Sequence, residues 1–454
     1  MSALLGPEAD DFLASLEEAP RTGLRANTLK LVATALPGLL PWPVQSVPWC
    51  AEGLLLEAGE ALPGRHPYHA AGLYYLQDPS AMLAGVLLDP QPGEVVLDLC
   101  AAPGGKATHL AARLHGQGLL VANDLVRTRT AALVENPERF GAANILVTQA
   151  APEMLAARWT GVFDAVLVDA PCSGEGMFRK TPAARQEWRP AVVEGCALRQ
   201  AAILDQAAAL VRPGGRLLYA TCTFAPEEDE GSVARFLHSH PEFTLRPSPA
   251  LPGLDPSRPD WIAPALAAGL PLERCVRLWP HRSPGGPEYL SGGHFFALMQ
   301  REGDAPAAIL PVAADRLPPA ATAAWQAFAD PTLKGPLPEQ GWAVYGDHLH
   351  LLPVSPEFWQ GVPVVRAGLA AGRLAPGRFE PDHALALAGI DTTAAATLAV
   401  TAAAAGAYLR GETLPATGGD GWVRLTVDGF ALGWGKRVQG VVKNHYPRGL
   451  RQRG

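Results

Sequence analysis

Through the first two thirds of the chain, short apolar runs alternate with stretches whose apolar positions recur at helical spacing. That is the pattern of strands leading into amphipathic helices. Its sharpest instance is Val95 to Leu114, VVLDLCAAPGGKATHLAARL. Val95–Leu99 reads as a strand and Cys100–Gly105 as a tight turn; Ala107, Leu110, Ala111 and Leu114 then fall on one helix face. A second strand covers 118–125 with Asp124 at its end, and a helix runs on through about Phe140. Strands follow over 144–148 and 163–171, a helix from about Val192 to Leu210, and strands over 215–223 and 294–300. Upstream, Asp78-Pro79-Ser80 marks the start of a helix reaching Leu88. The series predicts a Rossmann-like α/β core, a parallel sheet with helices on both faces.

The flanks read differently. Residues 6–19 pattern as an amphipathic helix with Phe12, Leu13 and Leu16 on one side. RTGLRANTLK (21–30) is strand-like with cationic ends, and Trp42, Trp49 and the apolar run 53–56 complete a small α+β unit. After Arg301 the text turns Ala- and Pro-rich and reads as a linker, with strand-like pieces over 342–353 and 361–372. A helical section begins near 378, and a β-rich module over 421–444 closes the chain. Four parts result: a small α+β domain (1–72), the core (73–300), a linker with a small α+β region (301–380) and a C-terminal module (381–454).

Composition narrows the class. With 48% hydrophobic and 18% charged residues the chain is that of a soluble globular protein, and no apolar run is long enough to cross a membrane. The first residues are acidic and amphipathic, unlike a secretory signal. Six cysteines with no CxxC or Cys/His pair at metal spacing predict neither a disulfide framework nor a zinc site, and a cytoplasmic home. A net charge of -7 argues against a general nucleic-acid coat but leaves room for a local basic track. From Trp434 onward there are six Lys/Arg residues and no acid, among them Lys436, Arg437, Lys443 and Arg448. These four, with Arg25 and Lys30, are candidate phosphate contacts; solvated surface is the competing reading.

The chemistry sits at strand ends. A Gly-rich turn between a strand and a helix N-terminus lets a nucleotide-like ligand approach the backbone, and an acid at the end of the next strand can bond ribose hydroxyls. The turn and Asp124 fit those roles. Two further segments, DAPCSGEGMFRK (169–180) and LLYATCTFAPEEDE (217–230), put Asp169, Cys172 and Cys222 at the same edge, the last leading into an acidic helix start over 226–230. Methylation of a pyrimidine at carbon 5 calls for such a set. Carbon 5 becomes nucleophilic only when a thiolate adds at carbon 6, an acid answers charge on the ring, and a base later removes the carbon-5 proton. Spacing alone leaves open which cysteine attacks. Cys50, Cys196 and Cys275 read as small buried hydrophobes.

CAAPGGK (100–106), DAPCSGEG (169–176) and YATCTFAPEEDE (219–230) resemble the motifs of the Nop/Sun family of RNA 5-methylcytosine methyltransferases. RANTLK (25–30) and YYLQDPSAM (74–82) are similar to the family's N-terminal segments. RFEPDHALAL, YLRGETL and GWGKRVQGVVKNHYPRGLR resemble a bacterial subgroup that acts on 16S ribosomal RNA of the small subunit and ends in a PUA-like RNA-binding module. The resemblance implies Cys222 as nucleophile, Cys172 as an aid to product release, Asp169 at the target base and Lys106 in the active site. It implies S-adenosylmethionine held by Cys100, Ala101, Ala102, Pro103, Gly104, Gly105, Lys106, Asp124 and Asp169, with no metal and no obligate protein partner. A transfer-RNA substrate, or a catalytically silent RNA-binding or ribosome-assembly factor, are the alternatives. The family often has an acid near the adenine where this chain has Ala151, so Glu153 or backbone groups would stand in.

Overall fold

The computed structural model describes residues 1–57, 62–282, 292–315, 317–335, 338 and 341–452. Its centre is a ten-stranded sheet. From one edge the path runs Leu254–Pro256, Val276–Leu278, His294–Arg301, Val211–Thr221, Phe163–Asp169, Val95–Asp98, Leu119–Asn123, Ile145–Thr148 and Val364–Ala367, with Phe243–Leu245 paired off the path to His294–Arg301. The five strands from Val211–Thr221 to Ile145–Thr148 are parallel, and the others add antiparallel. The predicted α/β core is therefore present.

These strands are short apolar runs because both faces are covered. Leu97, Val121, Leu146, Val166 and Val168 face one core; Val96, Leu120, Ala122, Val147, Ala165 and Leu167 face the other. All eleven are essentially inaccessible to solvent. The chain order reverses at Val95–Asp98, whose neighbours are Leu119–Asn123 on one side and Phe163–Asp169 on the other. Ligands bind doubly wound sheets at this switch point, beyond the C-terminal strand ends. Two helices are capped as their sequence prescribes. Asp78 accepts the Ser80 N–H at the start of Pro79–Leu88, and Gly141, at φ 80°, ends Arg127–Phe140 in a conformation that costs side chains other than glycine dearly.

Several flanking expectations need correction. The helix expected over 6–19 is shorter, Ala9–Ser15, and follows a tighter turn at Gly6–Glu8 and a separate helix Ser2–Leu5. It packs away from the N-terminal sheet: Phe12 lies edge-on to Phe224 at 5.0 Å and to Trp279 at 5.8 Å, both in the core unit. The four-stranded N-terminal sheet (Gly23–Ala26, Val44–Val47, Cys50–Leu56, Tyr74–Leu76) shares an apolar cluster with the C-terminal module, where Leu24 and Tyr68 join Tyr408 and Leu425.

The stretch 301–380, expected as a linker with a small α+β region, holds a helix and several strands. Its Ala- and Pro-rich text contains the helix Pro319–Thr332, which buries Trp325 and Phe328. The predicted strand over 361–372 is two, and the first, Val364–Ala367, extends the catalytic sheet beside Ile145–Thr148. Phe358 stacks on Trp159 at 5.1 Å, and the Trp159 indole N–H donates to the Phe358 carbonyl at 2.9 Å. An edge strand with apolar neighbours gains more by covering an open sheet edge than by standing free. Five strands and the helix Ala402–Leu409 build the C-terminal module.

Candidate active site

The three motif segments converge beyond the C-terminal ends of neighbouring strands. After Val95–Asp98 the chain turns through a cis Ala102–Pro103 bond and Gly104, whose φ of 107° is left-handed and favours glycine. The helix Gly105–Arg113 starts there and puts Lys106 in its first turn. Lys106 Nζ meets Asp169 Oδ2 at 2.6 Å. Burial pulls the Lys106 pKa down, but the adjoining Asp169 carboxylate more than offsets this, so the amine stays an ammonium.

Asp169 closes a strand that pairs in parallel with Val211–Thr221, Asp169 opposite Ala220. The residues just beyond each strand therefore face each other. Cys172 Sγ lies 3.3 Å from Cys222 Sγ, and the Cys222 N–H approaches Cys172 Sγ at 3.4 Å. The hydrogen bond to Cys222, reinforced by burial, pushes the Cys172 thiol well above its usual range. Cys172 thus keeps its proton and can donate it toward the Cys222 sulfur.

Buried acids hold the two cysteine loops together, and here the sequence reading missed functional scaffolding. Glu228 accepts from the Ser173 N–H at 3.0 Å and from Gln200 Nε2 at 2.7 Å. Glu175 accepts from the Phe224 N–H at 2.9 Å and the Thr223 hydroxyl at 3.2 Å. Asp229 and Glu230 pair with Arg277 at 2.9 and 2.5 Å. The expected acidic helix start is a fully buried network instead, with Glu228, Asp229 and Glu230 all at 0% exposure. For Asp229 and Glu230 the compensating cation is Arg277, far off in sequence, and no local spacing announces it.

A cavity of about 500 Å³ opens beside the turn, lined by Cys100, Asp124, Ala151, Glu153, Arg129 and Arg199 among others. That is a size for a nucleoside-bearing cofactor. Of the predicted cofactor residues, Cys100 and Asp124 are on its wall. The turn's amides are less available than expected: Ala101 N–H donates to the Asn123 carbonyl at 2.7 Å, Ala102 N–H to Asp124 Oδ2 at 3.2 Å and Gly104 N–H to the Ala101 carbonyl at 2.8 Å. Asp124 also accepts from the Val126 N–H at 2.9 Å, so it ties the turn to the next strand as well as facing the cavity. Asp98, unremarked in the sequence, is fully buried behind the turn, and neither carboxylate oxygen has a hydrogen-bond partner among the described residues. Burial, and after it the Asp169 carboxylate, push its pKa well up.

Three of the six proposed RNA contacts are structural. Arg25 is 0% exposed; it donates to the Gly105 carbonyl at 2.6 Å, to Thr108 Oγ1 at 2.7 Å and to Gln77 Oε1. Lys30 Nζ donates to the Ala71 and Arg139 carbonyls at 2.7 and 2.8 Å, completing two helix C-termini. Arg437 is buried and donates to the Gly419 carbonyl at 3.1 Å. Lys436 is half-buried over the Trp422 ring at 5.5 Å, whereas Lys443 and Arg448 are exposed. Arg453, the last base of the C-terminal track, lies outside the described residues. Cys50, Cys196 and Cys275 are buried. Cys50, Glu52 and His109 cluster as a metal site would, but the Arg113 guanidinium meets Glu52 at 3.1 Å and His109 at 3.3 Å and already supplies the positive charge. No helix among the described residues is long and apolar enough to cross a membrane.

Comparison with known proteins gives four adjoining matches. A family model described as 16S rRNA methyltransferase RsmB/F matches residues 85–291. Models for the N-terminal domain of 16S rRNA methyltransferase RsmF, the RsmF rRNA methyltransferase first C-terminal domain and the methyltransferase RsmF PUA domain match 1–79, 327–388 and 395–452. Ribosomal RNA small subunit methyltransferase F of Shewanella amazonensis is 38% identical over 234 residues, 50% of each chain. Its Escherichia coli counterpart is 39% identical over 241 residues, 51% of this chain and 50% of the relative. The chain thus spans about half the length of the curated relatives it matches. A methyltransferase homologue from Pyrococcus horikoshii superposes with a TM-score of 0.56 at 27% identity, over 65% of this chain and 91% of that one. The four matches follow one another along the chain and, with its turn and its cysteine pair, support an RsmF-like Nop/Sun methyltransferase.

Proposed function

We propose that this chain transfers a methyl group from S-adenosylmethionine to carbon 5 of cytosine in 16S ribosomal RNA of the small subunit, through a covalent Cys222–C6 adduct. The observation that carries the reading is the Cys172–Cys222 contact of 3.3 Å beside the Lys106–Asp169 pair of 2.6 Å. S-adenosylmethionine supplies an electrophilic methyl group on a sulfonium centre. The cavity at the switch point, the turn 100–106, Asp124 and the unpartnered Asp98 carboxylate suit a cofactor with a ribose and a cationic amino group. With Ala151 small and apolar on the cavity wall, Glu153 at its rim is the acid nearest in sequence for the adenine.

The chain's own groups divide the work. Cys222, as thiolate, adds its electron pair to carbon 6 of the ring, and carbon 5 gains the electron density that takes up the methyl group. Asp169 and Lys106 answer charge that builds on the ring. Transfer of the carbon-5 proton to water or another base then returns the pair to the C5–C6 bond, and the sulfur leaves as thiolate. Cys172, held protonated, favours Cys222 as the attacking sulfur and is placed to donate a hydrogen bond to the departing thiolate. A cytosine in folded RNA must leave its stack to reach these groups. The PUA-like module, with Lys443 and Arg448 exposed, offers phosphate contacts.

The test is transfer of label from S-adenosylmethionine to intact small subunits, free small-subunit RNA and bulk transfer RNA, mapped to single nucleotides. Label at cytosine carbon 5 in the subunit or its RNA is expected. Label only in transfer RNA would overturn the substrate, and no label at all would leave an RNA-binding or assembly factor.

A further inference from the structure

A second polar chain stands beside the cysteine pair and serves none of the steps above. Asp78 Oδ1 accepts from both the Ser80 N–H at 2.9 Å and the Ser80 hydroxyl at 2.6 Å, while Asp78 Oδ2 pairs with Lys180 Nζ at 2.7 Å. Ser80 Oγ in turn lies 2.7 Å from His294 Nδ1. His294 opens the strand whose Phe295 is opposite Thr221. Ala220 pairs with both Asp169 and Phe296, so His294, two residues before Phe296, stands at the same end of the sheet as Asp169 and the residues just past Thr221. Lys106, paired with Asp169 at 2.6 Å, stands at that end as well.

The protons along this chain can be counted. Asp78, paired with an ammonium, is an acceptor only. Ser80 has one proton and gives it to Asp78, so its oxygen must accept from His294. The hydrogen of His294 therefore sits on Nδ1, and Nε2 carries a bare lone pair. Among the described residues no group bonds to Nε2. Burial first, and Lys106 after it, hold the ring far from protonation, its pKa pushed down to about 3. Such a ring is a feeble base for the carbon-5 proton. It is, however, a fixed acceptor that cannot become a donor near neutral pH.

We propose that His294 Nε2 accepts a hydrogen bond from the exocyclic amine of the target cytosine, and that Ser80 and Asp78 fix the tautomer that selects cytosine over uracil. Cytosine presents an N–H donor at this position; uracil presents an oxygen whose lone pairs would face the lone pair of Nε2. Sites built to pair a substrate donor reject the analogue lacking it by several orders of magnitude. The assignment rests on the cytosine-C5 reading above.

The experiment uses the full chain with S-adenosylmethionine and transcripts of small-subunit RNA carrying 5-fluorocytidine or 5-fluorouridine, since fluorine at carbon 5 prevents release of the thiol and traps the adduct. The wild type should trap 5-fluorocytidine at least about 100-fold faster than 5-fluorouridine. His294→Ala should slow 5-fluorocytidine trapping by about 10- to 100-fold, and the preference should collapse toward unity. Ser80→Ala keeps the imidazole but frees it to carry hydrogen on Nε2, so its preference should fall about 10-fold or more with trapping retained. Cofactor binding by calorimetry should match the wild type in both variants. An unchanged preference in folded Ser80→Ala and His294→Ala proteins overturns the assignment. Absence of any wild-type adduct with 5-fluorocytidine overturns the cytosine-C5 reaction itself, and the assignment falls with it.

Discussion

Two basic regions look interchangeable in sequence and finish in opposite environments. Arg25 and Lys30, in RANTLK, are turned inward: the first braces the helix that bears Lys106, the second closes two helix ends. Lys443 and Arg448, in the C-terminal module, stay in solvent. A cation's position in the text says little about its use; what decides is whether acceptors wait for it inside. For Arg25 those acceptors are a helix carbonyl, a threonine and a glutamine, with the Tyr75 and Phe140 rings at 5.5 and 5.6 Å from its guanidinium carbon. Around Lys443 the described structure offers none, so its charge is available to a polyanion.

Replacing the buried cations should cost most. Arg277→Met leaves Asp229 and Glu230 as unpaired buried acids and should destabilise the chain by about 3–5 kcal/mol, seen as a lowered denaturant midpoint. Arg25→Met removes hydrogen bonds that the Gly105 carbonyl and Thr108 cannot replace, and should cost about 2–3 kcal/mol. Because Gly105 adjoins Lys106, the same variant should weaken cofactor binding in calorimetry; full affinity would show that the brace is remote from the site.

Lys30 sharpens the contrast through pH. Burial, and after it Arg139, pull its pKa down to about 7, below the ordinary lysine value. Between about pH 7 and 10 the unfolded chain then holds a proton here that the folded chain lacks, so this residue's contribution to stability rises with pH. Unfolding of wild type and Lys30→Met at pH 7 and pH 9.5 should show the wild type gaining relative to the variant at the higher pH. A constant difference would break the claim that Lys30 is buried at a cost.

The exposed pair should show the smallest effect on stability. Lys443→Ala and Arg448→Ala should each shift unfolding by no more than about 0.5 kcal/mol. Each should weaken RNA binding and reduce the slope of log affinity against log salt by about 1. An unchanged salt slope would remove them from the RNA interface.

The core and the cysteine pair were legible because their information is local. A strand, a turn that needs glycine at Gly104 and a helix follow one another within Val95–Leu114, and strand ends bring Asp169, Cys172 and Cys222 to one edge whenever the sheet is parallel. What stayed hidden depends on partners far along the chain. Asp229 and Glu230 read only as part of an acidic helix start until Arg277 arrives beside them. Val364–Ala367 reads as part of a separate region until it finds the open edge of Ile145–Thr148. Asp78 was recognised as a helix cap, which it is, yet its second oxygen and Ser80 lead on to His294, more than two hundred residues away.

The most direct test of the central claim is which cysteine bonds to the RNA. Wild type, Cys222→Ser and Cys172→Ser would each be incubated with S-adenosylmethionine and a 5-fluorocytidine transcript of small-subunit RNA, and the protein mapped for the residue carrying nucleotide mass. The account predicts an adduct on Cys222 in the wild type and in Cys172→Ser, and none in Cys222→Ser. An adduct on Cys172, surviving in Cys222→Ser, would contradict it.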